Sequence, residues 1–261
     1  MSRRALATAL LAVLLGCAAA PPSPSPGLDA RRSSFDFMGP DVQAMQRDDN
    51  ANPAMLWVQD GQALWRKAEG PQSRSCASCH GEAATSMAGV AARYPAWDAT
   101  SASAVNLGMR INLCRQRHQQ LPAWGAEHAQ LLGLETYVAM QSRGLPMAPD
   151  ADPRLAPLRE RGAQLFAQRL GQLDLSCAQC HDQLAGGKLA GSTIPQGHAT
   201  GYPVYRLEWQ GLGSLQRRLR GCLTGVRAEP FAANSPDMVA LELHLAARAM
   251  GMAVETPAVR P

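Results

Sequence analysis

Cys76-Ala77-Ser78-Cys79-His80 and Cys177-Ala178-Gln179-Cys180-His181 decide how this chain folds. Each is a Cys-x-x-Cys-His string, the pattern of covalent c-type haem attachment. The spacing serves chemistry. Two thiols one helical turn apart add to the two vinyl groups of one haem, and the adjacent histidine reaches the iron. A redox dithiol has no need of the histidine, and no βαβ pattern surrounds either motif. A zinc site made from the two pairs would not need both to end in histidine. The sequence therefore predicts two covalently bound haem c groups, on Cys76 and Cys79 and on Cys177 and Cys180. His80 and His181 are the expected proximal iron ligands.

Outward from these motifs the chain repeats itself. Gly61-Gln62-Ala63-Leu64-Trp65 precedes the first and Gly162-Ala163-Gln164-Leu165-Phe166 the second, each glycine fifteen residues before the first cysteine. Arg110-Ile111-Asn112-Leu113-Cys114 matches Arg218-Leu219-Arg220-Gly221-Cys222, and the i, i+4 spacing puts Arg and Cys on one helix face. Leu134-Glu135-Thr136-Tyr137-Val138-Ala139 matches Leu241-Glu242-Leu243-His244-Leu245-Ala246. Repeats in this order predict an all-α fold of two c-type cytochrome domains related by internal duplication. The Pro-rich stretch from Pro146 to Pro157 places the boundary, giving an N-terminal domain over 41–150 and a C-terminal domain over 151–261.

The N-terminus reads as an export signal. Arg3 and Arg4 precede an apolar run from Ala5 to Leu15 that is too short to span a bilayer, and small residues follow. The expected signal covers residues 1–20. Leu14-Leu15-Gly16-Cys17 also reads as a lipoprotein box, which would end the signal at 16 and attach a lipid to Cys17. Residues 21–40 read as a Pro/Ser-rich linker. Export suits haem c, which is attached outside the cytoplasm, so the expected location is the periplasm. With 261 residues, a net charge of +4 and 5% aromatic residues, nothing argues for nucleic-acid binding. No second long apolar run exists, which excludes a polytopic membrane protein.

The ligand opposite each histidine decides function. Met140 and Met238 lie at plausible distances after the motifs, although methionine is most often core filler. On that reading the protein is a pure electron carrier. The repeat singles out Cys114 and Cys222 instead. They could ligate iron as thiolates, form a disulfide in an oxidising compartment, or stay buried and inert. Arg217, Arg218, Arg220 and Arg227 crowd Cys222, and Gly221 and Gly225 flank it. Guanidinium groups lower a thiol's pKa and bind oxyanions in bidentate fashion. A sulfur or phosphorus oxyanion is the substrate class this predicts. His198, Tyr205 and Trp209 are candidate pocket residues, with core packing the alternative.

The strings Ile194-Pro195-Gln196-Gly197-His198, Gly201-Tyr202-Pro203-Val204-Tyr205-Arg206, Gly213-Ser214-Leu215-Gln216-Arg217-Arg218 and Cys222-Leu223-Thr224-Gly225-Val226-Arg227 carry a resemblance. So do Met45-Gln46-Arg47-Asp48-Asp49 and Asn52-Pro53-Ala54-Met55-Leu56-Trp57-Val58 near the start. With both motifs, the chain resembles the SoxA family of the SoxAX cytochromes of bacterial thiosulfate oxidation, in its dihaem form. The resemblance implies that Cys114 and Cys222 are the distal iron ligands. It implies that Cys222 is the active-site sulfur, in the family often a persulfide, and that Arg218 assists it. It implies oxidative conjugation of thiosulfate to a cysteine thiol of the SoxYZ carrier protein, with two electrons passed to a cytochrome c acceptor. A SoxX-type monohaem cytochrome is then the expected heterodimer partner, and a membrane is involved only if Cys17 is lipidated. A dihaem peroxidase ranks behind both readings, because it needs a displaceable distal site and usually a longer chain.

Overall fold

The computed structural model describes residues 30–261. The expected signal, Cys17 and the linker as far as Asp29 lie outside the described residues. Among the described residues nine α-helices run in order: α1 (Pro40–Arg47), α2 (Ala54–Arg66), α3 (Cys76–His80), α4 (Ala83–Ser86), α5 (Leu107–Cys114), α6 (Ala129–Met140), α7 (Ala156–Ala167), α8 (Leu215–Gly225) and α9 (Pro236–Arg248). Among the described residues no helix is long and apolar enough to cross a membrane.

Two helix crossings build the two halves, α2 on α6 and α7 on α9. Both hinge on the repeated glycine. A Cβ at Gly61 would lie 2.2 Å from the Gly133 carbonyl oxygen, and one at Gly162 only 1.9 Å from that of Ala240. Without a side chain there, the backbones approach and the flanking apolar residues interlock. The aromatic four residues on then meets the partner helix. Trp65 packs on Tyr137 with ring centroids 6.1 Å apart, and Phe166 on His244 at 5.0 Å. Leu131, Leu134 and Val138 of α6, like Val239, Leu243 and Leu245 of α9, are buried. Each such side chain contributes about 1.5–3 kcal/mol of burial.

The fold is helix-rich rather than purely helical. Seven short strands form three small sheets among the described residues. β1 (Ala96–Asp98) pairs antiparallel with β2 (Ser103–Val105), with Asp98 opposite Ser103. β3 (Lys188–Leu189) pairs with β4 (Ser192–Thr193). β5 (Val204–Arg206) lies between β6 (Gly211–Gly213), antiparallel, and β7 (Ala258–Arg260), parallel. The Ala-Trp-Asp and Val-Tyr-Arg strings carry the aromatic and β-branched residues that suit a half-buried pleated surface. The β1–β2 and β5–β6 hairpins are repeat copies. Each starts after a Tyr-Pro pair, Tyr94-Pro95 and Tyr202-Pro203, and both pairs are cis. From Tyr94 to Tyr202 is 108 residues, the interval from Cys114 to Cys222. The β3–β4 hairpin has no counterpart in the first half. It lies between His181 and Cys222, a stretch seven residues longer than that from His80 to Cys114.

The stretch from Pro146 to Pro157 is not a loose tether. Met147 packs with Ala92, Ala246, Ala249 and Val254, and Leu155 with Ala104, Val239 and Leu243. The two halves share core, and residues 31–261 form one contact unit.

Candidate functional site

Each haem motif begins on a serine cap. Ser75 Oγ accepts from the Ser78 amide at 2.9 Å, and Ser176 Oγ from the Gln179 amide at 3.2 Å. The side chain of the N3 residue answers in both, since the Ser75 amide donates to Ser78 Oγ and the Ser176 amide to Gln179 Oε1. These reciprocal caps start a helical turn on the first cysteine and bring both thiols to one side. The second motif widens into a π-turn over Gln179–Gln183.

In the second half the parts converge. His181 Nδ1 lies 2.8 Å from the Pro195 carbonyl oxygen and donates to it. That bond fixes the ring and leaves Nε2 with its lone pair. A Cβ at Gly197 would lie 3.1 Å from the ring's Cγ, so a glycine lets this loop lie against the imidazole. The Cys222 thiol faces the His181 ring from α8. Burial works to raise its pKa, but His181, Arg218 and Arg206 outweigh it, and the thiol is held below its ordinary value. Cys177 lies beside Cys222, and burial, reinforced by that neighbour, pushes it up to about 11. Arg218 makes no side-chain hydrogen bond or ion pair with any described residue.

The first half has the same parts with different charges. Burial pushes Cys76 up to about 11, with Cys114 beside it as the next cause. Burial also raises the Cys114 thiol, while Arg110 and Arg117 pull it down and Asp98 works against them. Asp98 is buried, takes Arg110 Nη1 and Arg117 Nη2 at 2.7 Å each, and accepts from the Ser101 hydroxyl. These donors hold its carboxyl far below the usual range. Tyr94 Oη accepts from Arg110 Nε at 3.2 Å. Arg115 lies over the Trp124 ring at 3.4 Å and reaches Glu69 at 3.2 Å. His80 is exposed, and its ring lies 5.8 Å from that of Trp65.

All six described cysteines are free, so the structure does not join Cys114 to Cys222. Met238 is 0% exposed in the first turn of α9. Met140 packs at the edge of the cluster that also meets Cys76. Of the arginines expected around Cys222, only Arg218 faces it. Arg217 stacks on Trp209 at 4.1 Å, and Arg220 and Arg227 are exposed. Gly221 and Gly225 leave open space, with nothing within 4 Å of where a Cβ would stand. Tyr205 is core. His198 is buried, next to Gln196 Oε1 at 3.3 Å, and Trp209 is held between Arg206 and Arg217. Sequence reasoning missed Asp98 and Arg206 as charged groups beside the two cysteines. The repeated Tyr-Pro pair, at the 108-residue interval of the cysteines, was the signal that could have found them.

No group of three or more His, Cys, Asp or Glu side chains among the described residues forms a metal cage. His181, the Cys222 thiol that faces it and the free thiols of Cys177 and Cys180 are a donor set that does not close around a bare ion. The residues of the second half therefore fit a covalently attached haem, which Cys177, Cys180 and His181 would hold.

The family model of the SoxA/TsdA cytochrome c domain matches twice, over residues 60–147 and 161–254. The chain is 38% identical to the L-cysteine S-thiosulfotransferase subunit SoxA of Pseudaminobacter salicylatoxidans, over 89% of this chain and 82% of that one. It is 36% identical to the subunit of the same name from Rhodovulum sulfidophilum, over 89% and 81%. The crystal structure of SoxXA from P. pantotrophus superposes with a TM-score of 0.85 at 35% identity, covering 88% of this chain and 87% of that one.

Proposed function

The chain belongs to the SoxA family of SoxA/TsdA cytochromes c, and we propose from that membership that it is an L-cysteine S-thiosulfotransferase acting on the SoxYZ carrier. The carrier's cysteine S–H bond breaks and an S–S bond forms to the outer sulfur of thiosulfate. One proton and two electrons leave, the electrons to a cytochrome c acceptor. Two haem c groups serve it, held by Cys76, Cys79 and His80 in a domain over 41–150 and by Cys177, Cys180 and His181 in a domain over 151–261. Cys114 and Cys222 would hold the two irons together with these histidines. A haem, when bound, supplies one-electron acceptance.

The protein's own side chains do the rest. Arg218, whose side chain is unbonded among the described residues, attracts the thiosulfate dianion by charge-assisted hydrogen bonds. Cys222 is the reactive sulfur, since a thiolate is the form that exchanges with other sulfur compounds. Gly221 and Gly225 leave room for the carrier's thiol-bearing arm. A SoxX-type cytochrome is the partner subunit, and the periplasm is the compartment, with a lipid on Cys17 as the one route to a membrane.

The observation that carries this reading is the convergence of Cys222 on His181, beside Arg218, which pairs with no acid among the described residues. The test is conjugation of thiosulfate to the carrier, followed by mass spectrometry, with the heterodimer. Cys222→Ala is expected to abolish conjugation while the intact mass still shows two haems. Conjugation that survives this change would remove the reading.

A further inference from the structure

The duplication allows the two halves to be compared position by position. Asp98 ends β1 and Arg206 ends β5, and the strands pair identically, with Asp98 opposite Ser103 and Arg206 opposite Gly211. The interval between them is 108 residues, the same as from Arg110 to Arg218 and from Cys114 to Cys222. They occupy one structural position with opposite charge. In the first half that position is the acid that binds Arg110 at 2.7 Å. In the second half the counterpart of Arg110 is Arg218, so a second cation faces the first. A further difference reinforces it. The residue three after the cysteine is Arg117 in the first half, bound to Asp98, and Gly225 in the second, open to solvent.

Arg206 is held where it stands. Its side chain is 13% exposed, its Nε donates to the Pro261 carbonyl oxygen at 2.8 Å, and its guanidinium lies 5.0 Å from the Trp209 ring. Glu208 meets one edge at 3.1 Å from the solvent side, with 54% of its side chain exposed. Two guanidinium groups beside one thiol, Arg206 held and Arg218 unbonded among the described residues, repel each other. Such an arrangement costs stability unless an anion sits between them.

We infer that Arg206 is the second arm of a two-arginine receptor which, with Arg218, seats the thiosulfate dianion beside Cys222. The first half carries the same scaffold with its receptor filled internally by the Asp98 carboxylate, so that of the two homologous sites only the second is open to an external anion. Arg206 is thereby a specificity-determining residue. It favours a dianion with two oxygen edges over a monoanion, because each guanidinium offers a planar fork to one edge. The inference rests on the thiosulfate reading above.

Steady-state conjugation by the heterodimer tests it. Arg206→Gln is expected to raise KM for thiosulfate at least about tenfold with kcat within about threefold, the loss of one charge-assisted contact. Arg206→Asp, which imports the first-half residue, is expected to raise it further. Arg206→Lys, which keeps the charge, should recover part of the loss. Arg217→Gln removes an equal charge from the same Trp209 ring and should leave KM unchanged. An unchanged KM in Arg206→Gln, or equal losses in Arg206→Gln and Arg217→Gln, would overturn the inference. Wild-type enzyme without thiosulfate-dependent turnover would instead overturn the functional reading. Unaltered haem absorption in each variant separates these outcomes from misfolding.

Discussion

Arg117 donates to the Asp98 carboxylate across 2.7 Å, and with Arg110 at the same distance it closes the first half's version of the site. Asp98 is 3% exposed, so its removal strands two cations around a core position. Asp98→Asn is expected to lower unfolding free energy by about 2–4 kcal/mol, measured by denaturant titration. The pH dependence follows from the sign of the shift. The folded carboxyl lies well below its unfolded value near 4, so its contribution is complete above pH 4 and disappears as pH falls further. The variant should lose that acid limb. Equal acid sensitivity in both proteins would show that Asp98 does not hold this network.

Gly61 and Gly162 look replaceable by the helix rule, which favours alanine over glycine by about 1 kcal/mol in a helix interior. The crossing reverses the sign. A Cβ at 162 would stand 1.9 Å from the Ala240 oxygen, and separating α7 from α9 breaks the packing of Phe166 on His244. Gly162→Ala and Gly61→Ala should each destabilise by about 1–3 kcal/mol or more in thermal unfolding. A rise in Tm for either would contradict the close crossing.

Between the halves lies a cavity of about 100 Å3, bordered by Glu135 and Glu242 from equivalent turns of α6 and α9. Burial, with Glu242 as the next cause, lifts Glu135 to about 8. Burial lifts Glu242 to about 7 against hydrogen bonds from Asn106 and Gln216. Both acids have folded values above their unfolded ones. Their contribution is present below about pH 4.5 and is lost as pH rises to 7 and then 8. Stability should therefore fall across pH 5–8, and Glu135→Gln should flatten the upper part by at least about 1 kcal/mol. A variant with the wild-type slope would mean that Glu135 is ionised throughout.

The Arg218 side chain makes no hydrogen bond or ion pair with any described residue, in contrast to that of Arg110. Arg218→Ala should then leave Tm almost unchanged while lowering kcat/KM for thiosulfate by about 10–100-fold. A fall in Tm with unchanged kinetics would make it a structural residue.

The repeat was legible because its chemistry is local. A glycine fifteen residues before each Cys-x-x-Cys-His, and an arginine four before each lone cysteine, follow from helix geometry and can be read without a fold. The strands were not legible in this way. β5 joins β7 across more than fifty residues, and a three-residue strand has too short a period to register. The arginine run around Cys222 misled in part, since Arg217 turns to Trp209 and Arg227 to solvent. The charge reversal between Asp98 and Arg206 emerged only once both hairpins were aligned, because sequence similarity weighs matches and this position matters through its mismatch.

In the proposed reading Cys222 is an iron ligand as well as the reactive sulfur. Low-temperature EPR of the ferric heterodimer, with Cys222→Met alongside, distinguishes the ligand sets. Low-spin signals with the narrow spread of His/thiolate ligation are expected, one of which changes in the variant while another stays. Signals of His/Met type, identical in the two proteins, would contradict this reading and make the protein an electron carrier with Cys222 as a bystander.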